Sequence, residues 1–173
     1  YDGFVEVLED SGLPPRAVRL SWLYSMARRT DLEEETDKPV IRELERCEAL
    51  GCPCVIAPPL FVEEKPGQEW EVNRAYYMGL AAACKKRETK ILLTNQCRNV
   101  NGHLVRGICA EAEAAVEWVT ALNAQAGEER FGFCLDAGVC LLCGQDMREL
   151  VQTFGTVLKA VIVRENNGQE DRN

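Results

Sequence analysis

Short apolar runs separated by long amphipathic stretches constrain this chain more than any other feature. Cys54–Ala57 (CVIA), Lys90–Asn95 (KILLTN), Phe131–Asp136 (FGFCLD) and Val157–Arg164 (VLKAVIVR) are too short for helices and nearly continuous in apolar character. Strands covered on both faces read this way. A further strand is expected over Arg19–Leu23, within AVRLSWLY, after the turn signal GLPP. The stretches between carry a helical period. Val40, Ile41, Leu44, Cys47 and Leu50 recur at three and four residues over Asp31–Leu50, with Gly51 placed as a C-terminal cap and the interior beginning near Pro39. Glu69–Lys86 repeats the pattern through Trp70, Val72, Tyr76, Tyr77, Leu80, Ala81 and Cys84. Ala110–Leu122 does so through Val116, Trp118, Val119 and Leu122, and Met147–Phe154 is a shorter helix closed by Gly155. The opening GFVEVLEDSGL fits a helix ended by Gly12 better than the strand that FVEVLE alone would suggest.

Strands alternating with helices of this length imply right-handed crossovers and a parallel sheet. The 173 residues form one domain, 1–173, large enough for a real core. They are too few for a closed eight-stranded barrel, for which about 250 residues is typical. Neither GxGxxG nor GxxxxGK[ST] follows any strand, so the nucleotide-binding form of an open sheet has no support. The expected fold is therefore an α/β segment of TIM-barrel type with five to six strands, an incomplete barrel.

Composition narrows the partners. Twenty Lys and Arg against 28 Asp and Glu give a net charge of −8, a field that opposes nucleic acid. No apolar run approaches the roughly 20 residues that span a bilayer, and the first residues lack a basic, signal-type start. A cytoplasmic protein that binds neither nucleic acid nor membrane is expected, and a homo-oligomer is compatible with the sequence. Nine cysteines, an odd count set largely inside apolar runs, read as reduced thiols. The pairs Cys52/Cys54 and Cys140/Cys143 could together ligate zinc, but they fall at opposite ends of a parallel sheet, about 17 Å apart.

In such sheets the side chains at the carboxyl ends of strands converge on the functional face. That rule selects Asp136, Glu165 and Asp171. Asp136 and Glu165, on successive strand ends, could exchange a proton at a carbon beside a carbonyl, as acid and base. Asn95, Gln96, Arg164 and Asn166 are candidates for substrate binding, the first two through sugar hydroxyls, and His103 joins them from the QCRNVNGHLVRG loop. Arg98 and Arg106 share that loop and, with Arg164, could hold a phosphate or carboxylate.

The succession RELERCEALGCPCVIAPP, KILLTNQ, FGFCLDAGVCLLCGQD and VIVRENNGQEDRN resembles the xylose isomerase-like TIM barrels, the sugar isomerases and epimerases related to the apurinic endonuclease branch. The resemblance implies a barrel, a sugar or sugar phosphate as ligand, and a divalent metal at the strand ends. Most of the implied ligands are replaced. Thr94 stands where the family has the glutamate of its LEN motif, Val139 where a histidine follows Asp136, and Ile162 at a strand histidine. Asp136 and Asp171 remain as metal candidates, with Asn173 in a histidine place. Threonine, valine and isoleucine supply no charge to a divalent ion, so the implied site is impaired and any Mn or Mg is weakly held. Two readings stay open. One is an isomerase or epimerase acting on a small polyhydroxylated substrate by proton transfer; the other is a noncatalytic sugar-binding or regulatory descendant. Cleavage at abasic DNA, which needs three metals and a basic face, stands far behind both.

Overall fold

The apolar runs pair side by side in the order in which they occur. In the computed structural model, which describes residues 7, 8, 10–21, 34–62, 67–84, 86 and 88–164, the main sheet contains β1 (Val18–Arg19), β2 (Cys54–Ile56), β3 (Lys90–Thr94), β6 (Phe131–Asp136) and β7 (Leu158–Ile162). Its spatial order is β1-β2-β3-β6-β7 and every pairing is parallel. A doubly wound sheet reverses its strand order at a switch point. This one never reverses, so it winds in one sense, as a barrel wall does. It is a curled, incomplete α/β barrel.

Helices α1 (Glu34–Ala49), α2 (Glu69–Ala83), α3 (Ala112–Ala126) and α5 (Met147–Phe154) form the crossovers, with the short α4 (Ala137–Leu142) directly after β6. The strand period sorts the side chains. Val55, Ile91, Leu93, Phe131, Phe133 and Leu135 pack outward against Leu44, Tyr77, Val119, Leu122 and Phe154 in one core. Ile56, Leu92 and Cys134 form a smaller cluster on the other, concave face, joined by Ala160 and Ile162. Phe133 stacks on Phe154 with ring centroids 4.2 Å apart, which ties α5 to the middle of the sheet.

Several boundaries differ from the sequence reading. Helix α1 begins at Glu34, not near Pro39. Pro39 therefore lies inside the helix rather than in its first turn. Helix α2 stops at Ala83 rather than Lys86, with Cys84 already extended. In α3 the fully buried positions are Ala112, Ala115, Val119 and Leu122, while Val116 and Trp118 are half-buried, because alanine lets a helix approach the sheet closely. The last strand starts at Leu158, after a 3₁₀ turn over Gly155–Val157. Strand β1 covers only Val18–Arg19. Leu20 and Ser21, inside the expected span, follow it as irregular backbone, and residues 22 and 23 lie outside the described residues.

The segment read as a loop after β3 is a hairpin, β4 (Cys97–Val100) and β5 (His103–Arg106), paired antiparallel. Its turn is Asn101-Gly102, with φ of 52° and 85°. Asn-Gly is the dipeptide that accepts two successive positive φ values, so the turn closes without strain. Among the described residues no helix is long and apolar enough to cross a membrane.

Candidate functional site

Alternation places Arg19, Thr94 and Asp136 on the concave face near the carboxyl ends of β1, β3 and β6, with Arg164 just beyond β7. Asp136 is their centre. Its residue is 0 % exposed, and its carboxylate is surrounded by donors. Oδ1 accepts from the backbone N–H of Gly138 and Val139, at 3.1 and 3.3 Å, as the cap of α4. The Arg164 guanidinium then grips both oxygens, Nε to Oδ1 at 3.1 Å and Nη2 to Oδ2 at 2.7 Å. This is the two-point fork that arginine makes with carboxylates. Arg19 Nη2 approaches Oδ2 at 4.0 Å.

That last contact carries geometric information. Three strand spacings separate β1 from β6, roughly 14 Å in a flat sheet, farther than one side chain reaches. Arg19 meets Asp136 because the sheet curls around its concave face.

Asn95, one residue beyond β3, fixes the backbone of the same aspartate. Its Oδ1 accepts from Asp136 N–H at 2.7 Å, and its Nδ2 donates to Asp136 C=O at 3.0 Å and faces Cys140 Sγ at 3.4 Å. The amide is committed to holding two strand ends in register and is turned away from hydroxyl binding. Gln96 donates Nε2 to Pro59 C=O at 2.9 Å, while its Oε1 is buried with no partner among the described residues. His103 is exposed on the hairpin, paired by register with Val100. Arg98 is exposed on the same hairpin, and Arg106 pairs with Glu111 at 2.9 Å. Neither joins Arg164 at the strand ends through a hydrogen bond or ion pair in the described structure. Glu165, Asn166 and Asp171 lie outside the described residues.

The sequence reading missed two members of this cluster. Arg19 falls in an expected strand, but its contact with Asp136 spans three strand spacings and is not a local signal. Thr94, treated only as a lost ligand, is 0 % exposed with a hydroxyl that finds no partner among the described residues. A buried hydroxyl left unmatched costs about 1–3 kcal/mol and marks a place where something polar belongs.

None of the nine cysteines is in a disulfide among the described residues. Burial pushes the Cys134 and Cys140 thiols up to about 11 from an ordinary 9.0, and the neighbouring Asp136 charge adds to both shifts. Burial alone raises Cys109 further. Such thiols are inert packing groups at neutral pH. Among the described residues no three His, Cys, Asp or Glu side chains converge as metal ligands do. An apolar cavity of about 90 Å³ lies between α1 and α2, bordered by Leu44, Tyr76 and Leu80. It opens on the helical side of the sheet, away from Asp136.

No family model matches the sequence, and no curated protein is similar to it. Solved structures are similar in shape. A D-tagatose 3-epimerase-like protein superimposes with a TM-score of 0.72 at 17% identity, over 98% of this chain and 63% of its own. A xylose isomerase domain protein from Planctomyces limnophilus gives 0.66 at 12%, over 92% and 57%. The chain has the fold of the xylose isomerase-like barrels. A third member of that group, the IolI protein solved with a zinc atom, gives 0.58 at 22%, over 86% of this chain and 51% of its own. The chain thus spans about half to two-thirds of the length of the barrels it matches, in keeping with five strands of an eight-stranded wall.

Proposed function

We propose that this is a sugar isomerase- or epimerase-like protein that takes a small polyhydroxylated ligand at the carboxyl ends of its strands, without a tightly bound metal at Asp136. The observation that carries the reading is the Arg164 fork on a fully buried Asp136, on a concave face whose fold is shared with sugar-processing barrels. A divalent ion at Asp136 requires an oxygen lone pair facing the pocket and further anionic ligands. Three donors already saturate Oδ1, and Oδ2 faces two guanidinium groups. The donor set therefore does not fit a divalent cation. Thr94 on the adjacent strand end offers a hydroxyl and no charge.

Proton transfer by Asp136 and Glu165 requires Asp136 to exchange part of its arginine contact for a substrate hydroxyl, and only Oδ2 is placed to do so. That restriction favours a second reading beside the enzyme, a noncatalytic descendant that keeps the pocket. One experiment separates them. The protein is incubated with aldoses and ketoses in D2O, while binding is followed by thermal stabilisation and C–H exchange by NMR. Deuterium entering beside the carbonyl, and lost in Glu165→Gln, supports proton-transfer chemistry. Saturable stabilisation without exchange supports the binding protein. Neither stabilisation nor exchange, across neutral and anionic sugars, refutes the sugar reading altogether.

A further inference from the structure

Among the described residues, the concave face brings two guanidinium groups to one carboxylate. Arg164 is matched to Asp136 by the two-point fork. Arg19 reaches the same carboxylate from the far edge strand but stops at 4.0 Å, beyond hydrogen-bonding distance. Its side chain is 39% exposed, and among the described residues Asp136 is the acid it pairs with. Strands β2 and β3 lie between β1 and β6, and on the same concave face Thr94 at the end of β3 has a fully buried hydroxyl with no partner among the described residues. Among the described residues, two arginines against one acid on this face stand out in a chain of net charge −8.

We infer that Arg19, Arg164 and the Thr94 hydroxyl form an oxyanion site on the concave face, and that the ligand is a sugar derivative carrying one carboxylate or phosphate. Arg19 supplies the free donors. Arg164, fixed by Asp136, presents a rigid positive wall, and Thr94 Oγ1 donates from one residue pair deeper in the barrel, opposite Cys134. Guanidinium groups suit either anion because their paired N–H donors match two oxygens of each. The fixed charge polarises and orients the ligand from a position where related chemistry would use a cation, and it needs no metal. This inference deepens the sugar reading and rests on it for the ligand's polyhydroxylated part.

The test is calorimetry and thermal shift with D-fructose, D-glucuronate, D-fructose 6-phosphate, sodium phosphate and sodium acetate. At least one anionic sugar is expected to bind about tenfold or more tightly than D-fructose, the scale of one charge-assisted hydrogen bond; which of the two does so assigns carboxylate or phosphate. That preference disappears in Arg19→Gln, is partly kept in Arg19→Lys, and falls in Thr94→Val. Unliganded melting curves of the three variants control for folding, and the lysine variant tests the charge should the glutamine variant fail to fold. Equal affinity for neutral and anionic sugars overturns the oxyanion site while leaving the sugar reading standing. Saturable binding of inorganic phosphate or acetate that depends on Arg19, with no sugar bound, supports the oxyanion site and refutes the sugar reading. Preference for anions that survives in Arg19→Gln, or no binding of any anion, overturns the inference.

Discussion

Replacing Arg164 with methionine removes the fork and leaves the Asp136 charge buried. The variant keeps much of the aliphatic volume, so the loss is mainly electrostatic. Two backbone N–H groups and the distant Arg19 still face the carboxylate. Breaking a buried ion pair from one side costs about 3–5 kcal/mol. Arg164 is 14% exposed and Asp136 1%, so this pair is close to fully desolvated. The residual donors place the cost near the lower end, about 3 kcal/mol. In a domain of this size each kcal/mol moves the melting temperature by about 2–4 °C, giving a fall of about 6–12 °C. Urea denaturation and circular dichroism measure both quantities. Asp136→Asn keeps an acceptor for the α4 cap while removing the charge, so the double variant Asp136→Asn/Arg164→Met should be less destabilised than the two single losses summed. A coupling of about 2 kcal/mol is expected from the cycle. An Arg164→Met protein that melts within about 2 °C of the parent, or a coupling below about 0.5 kcal/mol, would refute the view that this pair organises the strand ends.

Gly107→Ala should weaken the hairpin junction, because a Cβ there would stand 2.8 Å from the Gln96 carbonyl oxygen and 3.2 Å from its carbon; a loss of about 1–3 kcal/mol in chemical denaturation is expected, and a neutral substitution would contradict the close approach. Phe154→Ala, which removes the ring stacked on Phe133, should cost about 3–5 kcal/mol and loosen α5, measured by the same unfolding curves. Burial raises the Cys84, Cys134 and Cys140 thiols to about 11 from 9.0. A folded-state pKa above the unfolded value favours the folded protein at low pH, so the contribution is complete below about pH 9 and lost as pH rises towards 11. Stability should decline across that alkaline window, and replacing Cys134 and Cys140 by alanine should flatten the decline.

The barrel was legible because each central strand is an uninterrupted apolar run, and the chain order of those runs matches the spatial order. Boundaries were less legible where two signals compete, as at α1, where Pro39 points to one start and the acidic run to an earlier one. The hairpin was readable in principle, since Asn101-Gly102 is a strong turn signal. Arg98 and Asn99 interrupt the apolar strand period before that turn. At the site, the position of Asp136 followed from strand direction alone. Its partners did not, because a contact from Arg19 on β1 to Asp136 on β6 depends on the curl of the sheet, which no local pattern encodes. As a strand-end amide Asn95 suits a hydroxyl binder, but its amide serves the backbone of Asp136, a choice decided only by what stands across the strand gap.

Manganese binding tests the central claim most directly. The protein and its Asp136→Asn variant are stripped with chelator and titrated with Mn2+, and free ion is read by electron paramagnetic resonance. With Arg164 closed on Asp136, both proteins should show the same weak, non-stoichiometric uptake. One tight equivalent in the parent protein, lost in Asp136→Asn, would contradict the account and make Asp136 a metal ligand.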